Sequence, residues 1–252
     1  MSALLELHGL VKRFQSFTAV NGISLSVPAG EVLGFLGPNG AGKSTTMKMA
    51  TGFLEPDEGR SLICGIDVME NPAAARANLG YLPEGAPAYG EMPVASFLKF
   101  CAAMRGLRGS DADKAIERAV ERTELGGVLA QPIETMSKGF KRRVGLAQAI
   151  LHEPPVLILD EPTDGLDPNQ KHQVRELIKE MAQDRAIVIS THILEEVDAV
   201  CTRAVIIDRG EIVADGTADE LRKLAPGKAA SLDDAFRAIT MARRSSDAEE
   251  VA

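Results

Sequence analysis

Apolar and polar residues alternate near the N-terminus with the period of a β-strand. Ile23, Leu25 and Val27 are separated by serines, which predicts a strand with one buried face. A Pro-Ala-Gly turn follows, and residues 32–36 then form a nearly continuous apolar run. Such a run, bounded by turn residues, predicts a strand that is buried on both faces.

Helical spacing replaces the strand pattern between residues 92 and 152. Helices are predicted from Val94 to Arg105 and from Asp111 to Glu124. A third helix follows from an apolar stripe that consists of Phe140, Val144, Ala147 and Leu151. Strand patterns return at residues 156–159 and 186–189, so the helices read as an insertion into a strand-rich core.

The composition is that of a globular protein, with 45% hydrophobic and 25% charged residues in a chain of 252. A formal net charge of -8 argues against a protein that works by binding nucleic-acid phosphates. Cys64, Cys101 and Cys201 lack metal-ligand spacing, and we expect small apolar side chains in a reducing cytosol. No apolar run is predicted to span a bilayer and no secretory signal is expected, so a membrane role would need a second chain.

The strand at residues 32–36 runs directly into the sequence GPNGAGKST, which matches the pattern G-x-x-x-x-G-K-[ST] in full. Backbone N–H groups of such a loop cradle phosphate oxygens at the start of the next helix. We expect Lys43 to reach the β- and γ-phosphates and the Ser44 hydroxyl to ligate Mg²⁺. The predicted triphosphate-binding residues are Gly37, Pro38, Asn39, Gly40, Ala41, Gly42, Lys43, Ser44 and Thr45.

Two carboxylates end the strand that is predicted at residues 156–159. We expect Asp160 to join the Mg²⁺ shell, and Glu161 to polarise the water that attacks the γ-phosphate. His192 follows the strand at residues 186–189, so it should lie at the same sheet edge and can hydrogen-bond the γ-phosphate or the water. A purely structural histidine is the alternative. His8, His152 and His172 have no such setting.

Three further motifs join the glycine loop and His192 in a characteristic order along the chain. Residues 81–84 read YLPE, residues 136–140 read MSKGF, and residues 161–167 read EPTDGLD. With the glycine loop and His192, they resemble the nucleotide-binding subunit of an ATP-binding cassette (ABC) transporter over nearly the whole chain, from about Leu4 to Leu224. The variants YLPE and SKGF are closest to the ABC-2 export group, including its gliding-motility-like subunits.

The resemblance implies a role for each motif. Glu84 stands at the Q-loop as a further Mg²⁺ ligand, Asp167 in the D-loop, and His192 at the switch histidine, while Phe14 stacks on adenine. Glu161, His192 and Lys43 are the implied catalytic residues. The signature, which contacts the ATP of a partner subunit, is implied at Met136, Ser137, Lys138, Gly139 and Phe140.

The implied fold class is α/β: a P-loop NTPase core with a mostly parallel sheet, an N-terminal antiparallel β subdomain and an inserted α-helical subdomain. The ATPase domain is expected at residues 1–224, with the helical subdomain at about 90–152 and a short C-terminal helix with a polar tail at 225–252. ATP and Mg²⁺ are the implied cofactors. The implied partners are a second nucleotide-binding subunit, identical or closely related, and a membrane permease that holds the protein at the inner face of the cell membrane. No nucleic acid is expected.

This sequence departs from the family pattern at several positions. Glu84 replaces the usual glutamine, and an ionised carboxylate accepts hydrogen bonds where an amide also donates them. Lys138 and Phe140 replace a glycine and the glutamine of the usual signature L-S-G-G-Q. Lys138 can place a positive charge near phosphate or point into solvent, and both outcomes stay open.

Two other classes compete with the transporter subunit. A soluble ABC-type ATPase acting on ribosomes or DNA usually carries two cassettes or a long coiled-coil insertion, and neither is seen in this sequence. A GTPase or kinase with the same glycine loop leaves the MSKGF motif and His192 unexplained. The family also predicts a permease-binding groove near residues 84–97. Apolar candidates for it, which fit the subdomain core as well, are Met92, Val94, Phe97 and Leu98.

Overall fold

The computed structural model describes residues 3–225 and 231–250. Its strands are β1 (Ala3–Phe14), β2 (Phe17–Pro28), β3 (Val32–Leu36), β4 (Glu58–Ile63), β5 (Ile66–Asp67), β6 (Leu79–Leu82), β7 (Val156–Asp160), β8 (Ala186–Ser190), β9 (Arg203–Asp208) and β10 (Glu211–Gly216). Its α-helices are α1 (Lys43–Ala50), α2 (Pro72–Ala77), α3 (Val94–Met104), α4 (Gly109–Arg122), α5 (Lys138–Ile150), α6 (Pro168–Met181), α7 (Leu194–Val200), α8 (Ala218–Leu224) and α9 (Leu232–Glu250). Short 3₁₀ turns lie at Gly126–Val128 and Ile133–Thr135.

The larger sheet has six strands in the order β10-β9-β3-β8-β7-β6. Its neighbours pair in parallel, except that β10 forms an antiparallel hairpin with β9. Successive side chains of β7 enter two different cores: Val156 packs on one face of the sheet and Leu157 on the other. Burial on both faces explains why these strands are continuous apolar runs in the sequence.

The smaller sheet is antiparallel and has the order β2-β1-β4-β5. It packs with α1 against one face of the larger sheet. Leu10, Val20, Phe35 and Met47 are at most 1% exposed and share this core. The alternation of apolar and polar residues in β2 therefore reflects one face in the core and one face outside it.

Helices α3, α4 and α5 cover the other face of the larger sheet with a second core. Val94, Leu98 and Val144 are fully buried there. The approach of α5 to β6 depends on a glycine, because a Cβ at Gly80 would lie 2.2 Å from the carbonyl oxygen of Ala149. Any side chain at position 80 would force the helix away from the sheet.

The predicted α/β fold is confirmed, with a mostly parallel sheet, an antiparallel N-terminal sheet and helices between residues 94 and 150. The helix predicted at Asp111–Glu124 begins and ends two residues earlier, at Gly109–Arg122. Asp167 caps α6, with Pro168 at the first helical position. The division of the chain at residue 224, with an inserted subdomain at about 90–152, stays a prediction.

For three residues of the predicted groove, the structure selects the alternative that the sequence left open, which is a place in the core. Val94, Phe97 and Leu98 are at most 5% exposed, so they belong to the core rather than to a groove.

The C-terminal helix is longer than expected, since α9 continues to Glu250 where a polar tail was predicted. Residues 226–230 and 251–252 of that region lie outside the described residues. Within the described ranges, none of the helices has both the length and the apolar character that crossing a membrane requires.

Candidate nucleotide site

Four adjacent parallel strands end at the same edge of the larger sheet, and each carries one of the predicted motifs. The glycine loop follows β3, His192 follows β8, Asp160 and Glu161 end β7, and Glu84 follows β6. In parallel α/β sheets, ligands bind outside the carboxyl ends of the strands. The strand order β3-β8-β7-β6 therefore brings together residues that are distant in the sequence.

The glycine loop wraps around the ammonium group of its own lysine. Lys43 Nζ donates hydrogen bonds to the carbonyl oxygens of Gly37, at 2.6 Å, and Pro38, at 3.0 Å. Gly42 precedes α1 with φ 104°, and a Cβ there would lie 2.4 Å from the carbonyl oxygen of Ala19. Only glycine fits this position, because the left-handed conformation and the close approach both exclude a side chain.

Burial shifts the pKa values of Lys43 and Asp160 at this edge. The pKa of Lys43 is lowered by desolvation, which outweighs the opposing charges of Glu161, Asp160 and Glu84. Asp160 is 4% exposed, and its pKa is raised by burial and by the nearby carboxylates Glu84 and Glu161, although a hydrogen bond from Ser190 opposes the shift. A bound cation would relieve this concentration of negative charge.

Oxygen ligands for such a cation are present. The Ser44 hydroxyl, the Glu84 carboxylate and the Asp160 carboxylate line one cavity of about 430 Å³. A small number of hard oxygen donors is typical of a protein site for a Mg²⁺ ion that also binds phosphate. The donor set therefore fits the predicted Mg²⁺ site.

Phe14 lines the same cavity. Phe14 is 47% exposed and Phe17 is 57% exposed, and both line the cavity together with the glycine loop. Lys12 Nζ lies 5.9 Å from the centroid of the Phe14 ring. Two exposed aromatic faces beside a phosphate loop offer a stacking surface for a base, and only Phe14 was predicted from the sequence.

Glu161 and His192 are in direct contact. Nδ1 of His192 lies 2.7 Å from Oε1 of Glu161. Glu161 has a left-handed backbone, with φ 50°, and its N–H donates to the carbonyl oxygen of Ser190. This conformation is unfavourable for a residue other than glycine and turns the chain sharply after β7. Both side chains line a neighbouring cavity of about 420 Å³, to which α9 contributes Phe236.

The signature segment opens α5, away from these cavities. Met136 is buried, and the Ser137 hydroxyl caps the helix by accepting from the N–H of Phe140, at 3.3 Å. Lys138 forms an ion pair with Asp164 at 2.6 Å while its side chain is 68% exposed, and its relation to a bound phosphate stays a prediction. A Cβ at Gly139 would lie 3.0 Å from the carbonyl oxygen of Gly165. Among the described residues that line the two cavities, none comes from positions 136–140.

Sequence reasoning missed two buried charged residues beside the site. Glu196 accepts hydrogen bonds from the hydroxyls of Thr163, which follows Glu161, and Thr191, which precedes His192. Arg142 is 3% exposed and donates to the carbonyl oxygen of Pro83, at 3.0 Å. Neither residue stands in a motif, and only the folded chain brings their partners together.

Fold and site together define a nucleotide-binding α/β protein of the P-loop class. Comparison with known proteins identifies the family. The family model described as "ABC transporter" matches residues 20–164, more than half of the chain, and the chain therefore belongs to this family. Its nucleotide-binding fold is the ATP-binding cassette.

Three similar proteins illustrate the degree of sequence and structural similarity. The chain is 37% identical over 220 residues to the Escherichia coli (strain K12) protein named "Probable multidrug ABC transporter ATP-binding protein YbhF"; the match covers 87% of this chain and 38% of that protein. A solved ATP-binding subunit of an ABC transporter is 33% identical, with a TM-score of 0.87 over 94% of this chain and 99% of that one. A dimeric bacterial ABC transporter cassette shares the fold at 20% identity, with a TM-score of 0.79, 84% of this chain and 98% of that one.

Proposed function

We propose that this chain binds Mg-ATP, hydrolyses it, and acts as the ATP-binding subunit of an ABC transporter whose permease is a separate membrane protein. The observation that carries the proposal is the convergence of Lys43, Asp160, Glu161 and His192 at one sheet edge of an ABC cassette. The name of YbhF, a probable multidrug ABC transporter ATP-binding protein, supports a role in transport, although the match spans little more than a third of that relative. The assignment to the ABC-2 export group stays a prediction.

Each residue has a role that its position supports. Lys43 and the backbone N–H groups of residues 37–45 hold the phosphates at the start of α1. Ser44, Asp160 and Glu84 hold Mg²⁺, which, when bound, neutralises charge on the phosphates. Glu161 accepts a proton from the attacking water, and His192 orients Glu161 through their contact. Phe14 stacks on the adenine.

A second cassette completes the site in this proposal. Ser137 and Gly139 lie at the N-terminus of α5, where unpaired backbone N–H groups favour an anion. These residues do not line the cavities of their own subunit among the residues described. They are thus available to the γ-phosphate of ATP held by another copy, with Asp167 nearby at the start of α6. The dimeric cassette of the same fold supports this arrangement.

Sizing chromatography of the Glu161→Gln variant tests ATP binding and dimerisation together. This variant should bind ATP without consuming it, so Mg-ATP should convert it from monomer to dimer. The same protein with Mg-ADP, or with no nucleotide, is the control and should stay monomeric. A monomer at every protein concentration in Mg-ATP would overturn the two-subunit site.

An exposed aromatic patch is the proposed contact with the permease. Tyr89 is 57% exposed, Phe100 39% and Met104 72%. The Tyr89 ring packs edge-on against Phe97 and Phe100, at centroid distances of 6.4 and 5.5 Å, so the patch is continuous with the helical core. Exposed apolar clusters of this kind mark interaction sites. Of the residues predicted from the sequence, Phe97 contacts this patch directly, through the Tyr89 ring.

Cell fractionation separates this proposal from the ribosome alternative. The tagged chain should sediment with membranes of the cells that encode it, and the double change Tyr89→Asp with Phe100→Asp should release it. Phe53→Asp is the matched control, because Phe53 is 77% exposed and lies after α1. Sedimentation with ribosomes in place of membranes would favour the soluble ATPase.

A further inference from the structure

One face of α5 supports the segment that carries Glu84. Gln148 Nε2 donates to the carbonyl oxygen of Tyr81 at 2.7 Å, and Arg142 donates to that of Pro83 at 3.0 Å. Between them, Gly145 lets the helix approach closely, since a Cβ there would lie 2.7 Å from Leu82. Positions 142, 145 and 148 are three residues apart and so face the same way. Pro83 directly precedes Glu84, so the Arg142 hydrogen bond fixes the backbone that carries this carboxylate.

The Arg142 guanidinium is a buried cation that faces several anions. Its second terminal nitrogen lies 3.9 Å from Oδ2 of Asp164 and has no hydrogen-bond partner among the described residues. Besides Asp164, it interacts electrostatically with Asp160, Glu161 and Glu84. Burial lowers the pKa of Arg142, and these carboxylates oppose that shift. A buried guanidinium requires anions in this way, and the anions in turn require a cation.

Four carboxylates from two chain segments converge at this edge: Glu84 follows β6, while Asp160, Glu161 and Asp164 lie at and after the end of β7. Glu84 is the one that the family pattern would replace by a neutral amide. Lys43 balances them from the glycine loop, because it interacts with Glu161, Asp160 and Glu84. Lys138 pairs with Asp164 at 2.6 Å, and its side chain is 68% exposed. Arg142 is the buried cation on the opposite, helical side of the cluster.

We propose that Arg142 is a positioning residue for the nucleotide site: it holds the Pro83 carbonyl and supplies the positive charge that lets Glu84 stand beside Asp160 and Glu161. The inference rests on the proposed function of the site as an ATPase centre. It predicts that the need for Arg142 depends on the charge at position 84. Glutamine at position 84 removes one negative charge from the cluster. The cluster then needs less positive charge to balance it, and Arg142 becomes dispensable for catalysis.

A double-mutant cycle tests this dependence. Arg142→Gln is compared in the wild-type and the Glu84→Gln backgrounds, with kcat and KM for Mg-ATP, Kd for a fluorescent ATP analogue, and Tm measured for all four proteins. In the wild-type background we expect kcat to fall about 10-fold or more; in the Glu84→Gln background the same change should alter kcat by less than about 3-fold. Recovery of kcat on removal of a second charge is an outcome that a merely structural arginine would not give.

Arg143→Gln is the matched control. Arg143 is also buried on α5, but it contacts Glu124 at 2.9 Å and Gln173 at 2.7 Å, away from the nucleotide site. Its effects on Tm and kcat should be the same in both backgrounds. An Arg142→Gln variant with wild-type kcat and KM, or one whose loss is as large with glutamine at position 84, would overturn the inference.

Failure of the proposed function would look different. Absence of ATPase activity in the wild-type protein would contradict the proposed ATPase function. The coupling between positions 142 and 84 could still be measured by Kd and Tm. Additive effects on both quantities would then reject the role of Arg142 as well. If Glu84→Gln itself abolishes turnover, Kd and Tm replace kcat as the measurements that test the coupling. The effects of the two substitutions on Kd should then be non-additive.

Discussion

Nδ1 of His192 lies 2.7 Å from Oε1 of Glu161, although the two residues are 31 positions apart in the sequence. They meet because β7 and β8 are parallel neighbours, and each residue follows the end of its strand. A base oriented by a second group is the arrangement that general-base catalysis needs. In the proposed mechanism, this contact lets His192 orient the Glu161 carboxylate that accepts the proton.

Glu161→Gln should abolish most ATP turnover while ATP binding persists. An amide cannot accept the proton of the attacking water, and loss of a general base typically lowers kcat by about 100-fold or more. Phosphate release measures kcat, and equilibrium binding of a fluorescent ATP analogue measures Kd. Glu153→Gln is a close control, because Glu153 has the same left-handed backbone, with φ 52°, and an exposed ion pair with Arg118. Unchanged turnover in Glu161→Gln would exclude this residue as the base.

Lys43→Ala should weaken both binding and turnover. In the proposed site, the lysine donates a charged hydrogen bond to the phosphates, and a bond of that kind contributes about 1.5–3 kcal/mol, or roughly 10- to 150-fold in Kd. Lys48→Ala is the control, since Lys48 lies on the exposed side of the same helix. The two variants should have similar Tm values and differ in Kd. Equal Kd values for both would remove Lys43 from the phosphate site.

The parts of the site that could be predicted from the sequence are those whose chemistry is local. The glycine loop, Asp160, Glu161 and His192 each follow a buried strand, so their common position follows from the rule for parallel sheets. Arg142 and Glu196 could not be found in this way, because their burial and partners depend on how α5 and α7 pack. Lys138 illustrates the same limit. Its contact with Asp164 requires the turn at Gly165, which has φ 77° and lies against the lysine side chain.

Glu196→Ala should destabilise the fold at the base of the site. The carboxylate accepts hydrogen bonds from the Thr163 and Thr191 hydroxyls in a buried setting, and Glu196 is 4% exposed. Loss of both acceptors leaves two buried donors without partners, which costs about 2–4 kcal/mol. Urea unfolding followed by circular dichroism measures this cost. Glu195→Ala is the control, because its side chain is exposed on the same helix and should change stability by less than about 0.5 kcal/mol.

His152 should make the protein less stable as the pH falls. Burial, together with the charges of Arg105 and Arg185, lowers its pKa from 6.5 to about 4, although a hydrogen bond to the Leu79 carbonyl oxygen opposes the shift. Between these two pH values the unfolded chain binds a proton at His152 and the folded chain does not. The free energy of unfolding therefore decreases as the pH falls from 6.5 towards 4, and this contribution is fully present only above pH 6.5.

Comparison of two histidine variants isolates this effect from other groups that titrate in acid. His152→Gln keeps a donor for the Leu79 carbonyl oxygen but has no proton to gain, so its Tm should fall less steeply between pH 6.5 and 4 than that of the wild type. His172→Gln, at an exposed position on α6, should keep the wild-type slope. Parallel slopes for all three proteins would show that His152 is protonated equally in the folded and unfolded states. The difference in slope, rather than the absolute Tm, is the quantity that decides, because removal of a buried ring also changes packing at every pH.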